Sequence, residues 1–217
     1  MTTTQPGNEG PAIDVRDLRR SYGEVHAVRG VSFEVARGEV FCLLGPNGAG
    51  KTTTVEILEG YRTRSGGEAR VLGMDPAQGQ RELHERVGIV LQQSGVQQDL
   101  TVAELLEMYG RYYSRRRPVD ELIELVELEE KRDARVRNLS GGQVRRLELA
   151  LGLVGDPDLL FLDEPTTGFD PGARRQAWSA TPICCSSMSR PPASIRAPDV
   201  RRGRPSARCA TWARRCS

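Results

Sequence analysis

Apolar residues in this chain fall into short runs separated by turns, at a period of two in some segments and near four in others. Ile13-Asp-Val-Arg-Asp-Leu18 and Val31-Ser-Phe-Glu-Val35 alternate, as strands with one buried face do. Arg37-Gly38 reads as a turn, and Val40-Phe-Cys-Leu-Leu44 after it is apolar throughout. A continuous run of that length suits a strand of a mostly parallel sheet, covered on both faces. A helix is predicted over residues 52–59. A short strand follows over 69–72, set off by Gly66-Gly67, then a helix over 81–86 and a strand over 87–91.

The period then lengthens. Thr101-Val-Ala-Glu104 is a capping-box sequence, in which each end satisfies a free amide at a helix start. The helix it opens carries Val102, Leu105, Leu106 and Met108 and is predicted to run to about Tyr113. Pro118 opens a second helix with an apolar stripe of Leu122, Ile123, Leu125 and Val126. A helix over 141–154 and a strand over 159–162 return the chain to the earlier pattern. The expected architecture is an α/β core with a helical subdomain inserted at about residues 95–150.

At 217 residues the chain can bury one core plus a small subdomain. No apolar run approaches the roughly 18–20 residues that cross a bilayer. Residues 1–11 are polar, lack the apolar centre of a signal peptide, and are read as disordered. A cytoplasmic protein is expected, held at the membrane's inner face only through a partner. Cys42 alone precedes residue 179, so no disulfide framework is foreseen. The net charge of +2 conceals an asymmetry: residues 179–217 carry eight arginines, no lysine and only Asp199, about +7, which leaves about −5 for the rest. That mildly acidic body gives no reason to expect a nucleic-acid partner.

Three motifs carry chemistry. Gly45-Pro46-Asn47-Gly48-Ala49-Gly50-Lys51-Thr52-Thr53 fits the phosphate-loop pattern and lies between an apolar strand and a helix. Its glycines let backbone amides close on phosphates, and the helix start adds favourable potential. Lys51 is expected at the β- and γ-phosphates, and the Thr52 hydroxyl at Mg²⁺. Leu159-Leu-Phe-Leu-Asp163-Glu164 puts carboxylates at the end of a buried strand, Asp163 to support the metal and Glu164 to polarise water. Leu139-Ser140-Gly141-Gly142-Gln143 reads locally as a helix cap.

Together these strings resemble the ATP-binding subunits of ABC transporters, over roughly residues 13–178. The resemblance implies a P-loop NTPase core with an antiparallel β-subdomain, and a second ATP-binding subunit packed head to tail. Ser140, Gly141, Gly142 and Gln143 would then complete the partner's ATP site, together with Asp170 of Thr166-Thr-Gly-Phe-Asp170-Pro171. Tyr22 matches the aromatic that stacks on adenine, although a lone tyrosine is equally compatible with core or surface. Gln92 matches the glutamine that senses Mg²⁺ and the attacking water, with Gln93 beside it. ATP and Mg²⁺ are the implied ligands, and an integral-membrane permease is the implied partner. Ile57-Leu-Glu-Gly-Tyr-Arg62 and Leu91-Gln-Gln93 look most like bacterial ABC-2-type drug and lipid exporters. A soluble ABC ATPase of translation or DNA repair is the alternative, though one ATP site and a short insert fit it less well. A non-catalytic ATP-binding fragment is the other.

The resemblance also implies a histidine on the strand after the interface loop, but the chain holds only His26 and His84. Residues 179–217 have no helical or strand period. A non-native or disordered segment without a domain is expected there, leaving 12–178 as the ATP-binding unit. The segment also has a simple origin. GC-rich codons for residues 154–178, read with the first base dropped, spell Ser179-Ala-Thr-Pro-Ile-Cys-Cys-Ser-Ser-Met188 and continue without mismatch to Gly203. Residues 204–217, shifted back, give a helix, a turn and an apolar strand. The expectation is a duplicated DNA segment that throws the reading frame at about Trp178.

Overall fold

The computed structural model describes residues 10–79, 81–90, 95–163, 183–188 and 207–211. Two sheets organise it. The first is antiparallel, in the order β2-β1-β4, from β1 (Ile13–Tyr22), β2 (Val25–Val35) and β4 (Gly66–Val71). The second is parallel, in the order β5-β6-β7-β3-β8, from β3 (Val40–Leu44), β5 (Val87–Val90), β6 (Leu159–Asp163), β7 (Ile183–Met188) and β8 (Ala207–Thr211). Among the described residues five α-helices accompany them: α1 (Lys51–Leu58), α2 (Arg81–Arg86), α3 (Val102–Gly110), α4 (Val119–Leu125) and α5 (Gly141–Leu153).

The apolar runs at β3 and β6 serve two cores at once. Phe41 and Leu43 of β3 and Leu159 and Phe161 of β6 pack with the antiparallel sheet and α1. Cys42, Leu44, Leu160 and Leu162, the alternate residues, pack with α3, α4 and α5. A strand that feeds a core on each face needs apolar residues at every position, so these segments do not alternate in sequence. The helical subdomain is thus seated on one face of the parallel sheet and the antiparallel sheet on the other.

Local sequence explains the element ends. Thr101 and Glu104 form the expected reciprocal cap: the Glu104 amide donates to Thr101 Oγ1 at 3.2 Å, and the Thr101 amide donates to Glu104 Oε2 at 2.9 Å. Pro118 caps α4 with extended backbone and lies just outside the helix, where its missing N–H costs nothing. Helix α5 lies close on β5 because both contact residues are glycines: a Cβ on Gly88 would run into the Gly152 carbonyl oxygen, and one on Gly152 would strike Val90.

Several boundaries differ from expectation; β4, for one, begins at Gly66 and takes in the glycines read as a break. The β1–β2 hairpin reaches Tyr22 and Val25, which pair across Gly23-Glu24. Its polar outer half hides the alternation that marks the buried half. Helix α3 stops at Gly110 rather than near Tyr113, because Arg111 to Tyr113 bond back three residues in turns.

The segment after Trp178 departs further. Two of its stretches, read from sequence as non-native or disordered, are strands of the parallel sheet. β7 lies between β6 and β3, and β8 lies on β3's other side. Strand pairing uses backbone groups that every non-proline residue carries, so a short proline-free stretch can fill a position without a strand-like pattern. The expected shape of the ATP-binding core is otherwise present.

Candidate nucleotide site

The glycine-rich loop leaves the carboxyl end of β3, the edge at which open parallel sheets bind ligands. Gly48 and Gly50 both have φ of 81°, in the left-handed region that favours glycine. At Gly50 a side chain would also strike the Ala27 carbonyl oxygen, so β2 packs on the loop and fixes its height. Gly48 is exposed, and a Cβ there would meet nothing within 4 Å. Gly50 caps α1, and its carbonyl accepts from the Thr54 amide at 2.9 Å and the Thr54 hydroxyl at 2.8 Å.

Lys51 is 5% exposed, and its ammonium donates to the Gly45 and Pro46 carbonyls at 2.7 and 2.8 Å. The cation is thus folded back over the loop, ringed by the backbone of the residues expected around phosphate. Thr52, one residue on, presents an exposed position on the first turn of α1. Pro46 and Asn47 are exposed, and Ala49 and Thr53 half-buried. Left-handed glycines, a buried lysine on the loop and a hydroxyl at the helix start suit a triphosphate with its metal.

Asp163 closes β6. The parallel register places it at the same sheet edge as the loop, two strands away across β7, about 10 Å by ordinary strand spacing. Its side chain lies outside the described residues, as do Gln92, Gln93, Glu164 and Asp170 entirely. β7, the strand that follows β6 in the chain, reads Ile-Cys-Cys-Ser-Ser-Met and contains no histidine.

The Leu139–Gln143 string forms the cap foreseen for it. The Gln143 amide donates to Ser140 Oγ at 3.3 Å, and the Ser140 amide donates to Gln143 Oε1 at 2.9 Å. Ser140, Gly141 and Gly142 are exposed, and a Cβ on either glycine would meet nothing within 4 Å. The start of α5 therefore faces outward, built into the helical core rather than the core beneath the phosphate loop.

Tyr22 ends β1, 40% exposed, and is tied to the loop's own helix. Arg62 donates from Nη1 to its hydroxyl at 3.1 Å and forms an ion pair with Glu56 of α1. Arg20 lies over the ring, its guanidinium carbon 4.5 Å from the centroid. Hydrogen bonding to Arg20, seconded by the charge of Arg62, lowers the Tyr22 phenol below its ordinary range against a smaller effect of burial. The motif match singled out Tyr22 but not its arginine companions: Arg20 precedes it by two residues on β1, and Arg62 reaches it only when the β1 end meets the segment after α1.

Residues 28–167 match the protein family described as ABC transporter. The chain belongs to the ABC transporter family. It is 48% identical over 172 residues to the Nod factor export ATP-binding protein I of Paraburkholderia xenovorans (strain LB400), covering 77% of this chain and 57% of that protein. It is 47% identical over 172 residues to the protein of the same name from Rhizobium meliloti (strain 1021), 77% of this chain and 51% of the relative. The chain thus spans little more than half the length of these relatives. A solved ATP-binding subunit of an ABC transporter superposes with a TM-score of 0.69 at 25% identity, over 80% of this chain and 78% of that one. The cbiO1 protein from Clostridium perfringens, described as part of the ABC transporter complex cbiONQ, gives 0.69 at 28% identity over 83% and 80%. The P-loop NTPase fold and the identity as an ABC ATP-binding subunit, expected from the motifs, both stand. Among the described residues, no helix is long and apolar enough to cross a membrane.

Proposed function

We propose that this chain binds Mg·ATP at the Gly45–Thr53 loop and serves as the ATP-binding subunit of an export system, on the cytoplasmic face of a membrane permease. The observation that carries the reading is the loop itself: a β3–α1 junction with two left-handed glycines and a buried lysine turned onto the loop carbonyls. The Nod factor export proteins supply the direction of transport by likeness.

In this reading Lys51 exchanges the Gly45 and Pro46 carbonyls for phosphate oxygens, at little cost because the ammonium already lies over the loop. The amides at the start of α1 bind the same oxygens. Mg²⁺, when bound, neutralises charge developing between the phosphates. Thr52, at the start of α1, and Asp163, at the end of β6, would hold that ion, Gln92 would sense it, and Glu164 would orient the attacking water. The exposed Ser140–Gly142 start of α5, with the half-buried Gln143 capping it, would face the phosphates held by a second copy, and Asp170 would act at the same interface by likeness to the family.

Binding and turnover part company here. No histidine follows His84 in the sequence, so nothing occupies the position from which the family's strand histidine contacts the γ-phosphate. Loss of such a charge-stabilising group costs on the order of 100–1000-fold in rate. The chain is therefore an ATP binder with impaired hydrolysis. The test compares steady-state ATP turnover of this chain with a chain in which one copy of the repeated coding segment is removed and the frame restored. Recovery by about two orders of magnitude is expected on the same basis. Equal, fast turnover by both would contradict the impairment.

A further inference from the structure

The β1 end carries an arrangement that the phosphate loop does not explain. Arg20 and Tyr22 lie two residues apart on β1, and the Arg20 guanidinium covers one face of the Tyr22 ring at 4.5 Å. Arg20 is half-buried, and its Nε is shut off from solvent without a hydrogen-bond partner among the described residues. Its Nη1 donates to Thr63 Oγ1 at 3.3 Å, which anchors the group at one side. Arg62 reaches the Tyr22 hydroxyl at 3.1 Å and also lies over the ring, its guanidinium carbon 5.9 Å from the centroid, while its charge is matched by Glu56. Arg62 therefore ties the ring to α1, and Arg20 is the nearer of two guanidinium groups over it. Tyr22 is still 40% exposed, so the ring keeps surface for a further layer.

We infer that Arg20 is a positioning residue for the nucleotide base: it forms the back layer of a stack of guanidinium, phenol ring and purine, and confines the base to the ring surface that remains exposed. This rests on the reading of the chain as an ATP binder and adds a residue to it. A cation on one face draws π-electron density toward itself, so the opposite face becomes a better partner for an electron-rich purine. The arginine also fills the space into which the ring would otherwise tilt.

The experiment measures equilibrium binding of ATP and of inorganic tripolyphosphate, both with Mg²⁺, to the full chain and to R20Q and R20K. Glutamine keeps a donor for Thr63 and removes the charge; lysine keeps the charge. R20Q is expected to weaken ATP binding by roughly three- to tenfold, in line with a cation–π contact, and to leave tripolyphosphate unchanged. R20K should bind ATP near the level of the unmutated chain, and R20Q should cost nothing further in a Tyr22→Leu background. ATP binding by R20Q equal to that of the unmutated chain would overturn the inference. So would an equal loss for tripolyphosphate, which would make Arg20 a phosphate contact or a fold element. Failure of the unmutated chain to bind ATP would instead remove the ATP reading beneath it.

Discussion

At the scale of single residues, Lys51 and the glycines around it carry most of the argument. The ammonium is 5% exposed and held by two carbonyls, so its removal takes away the one cation the described loop presents. Lys51→Ala is expected to lower Mg·ATP affinity by roughly a hundredfold or more, since a charged hydrogen-bonding partner of phosphate is worth about 2–5 kcal/mol. Gly50→Ala should be as damaging for a different reason: the left-handed φ and the Ala27 carbonyl leave no room for a Cβ. Its signature is a lower melting temperature together with lost binding, whereas Lys51→Ala should melt near the parent. These roles were legible in the sequence because a phosphate loop fixes spacing, residue type and flanking elements at once. Arg20 and Arg62 were not legible. Arg62 meets Tyr22 across 40 residues of chain, and Arg20, two residues away, shares its side of the strand only once β1 is seen to run on to Tyr22.

Elements are where the periodic reading worked best and where its limits have physical causes. β3 matches its apolar run residue for residue, and α2 and the Thr101 cap sit where expected, since each depends on contiguous sequence. The outer hairpin from Arg19 to Tyr22 was missed because solvent faces too much of it for alternation to show. Removing the α3 cap with Thr101→Ala should cost about 1 kcal/mol in chemical denaturation. A second device joins elements: Asp158, before β6, accepts from Arg86 of α2 at 2.6 Å and from Arg115 beyond α3 at 3.1 Å. Burial pushes its carboxyl up, but the two guanidinium groups outweigh it and hold Asp158 below the ordinary value. The sign follows directly. A depressed carboxylate stabilises the fold above the unfolded value near 3.9, and that stabilisation is lost as pH falls through the folded one. Asp158→Asn should therefore destabilise the protein at neutral pH and flatten the stability curve below about pH 4. An unchanged acid limb in denaturant melts would contradict this.

For the molecule as a whole, the parallel sheet contains strands of two different origins. β3, β5 and β6 follow from apolar runs that also position the site, whereas β7 comes from residues that read as the preceding segment in a shifted frame and β8 from the stretch beyond that image. Nothing periodic announced these strands, because their place is set by the backbone groups on either side of β3 and not by their own side-chain pattern. The frame argument predicts that the gene carries two tandem copies of the stretch encoding residues 154–178, the second displaced by one base. Sequencing native DNA across residues 154–217 checks this, and unrelated DNA under residues 179–203 would contradict it.

The central claim, that a working nucleotide site survives in this chain whatever the origin of its last residues, is tested most directly by titrating the purified full chain with Mg·ATP in a calorimeter, beside Lys51→Ala. Saturable binding at one site per chain is expected, and the lysine substitution should remove it. Binding that is absent in the full chain, or equal in both proteins, would contradict it.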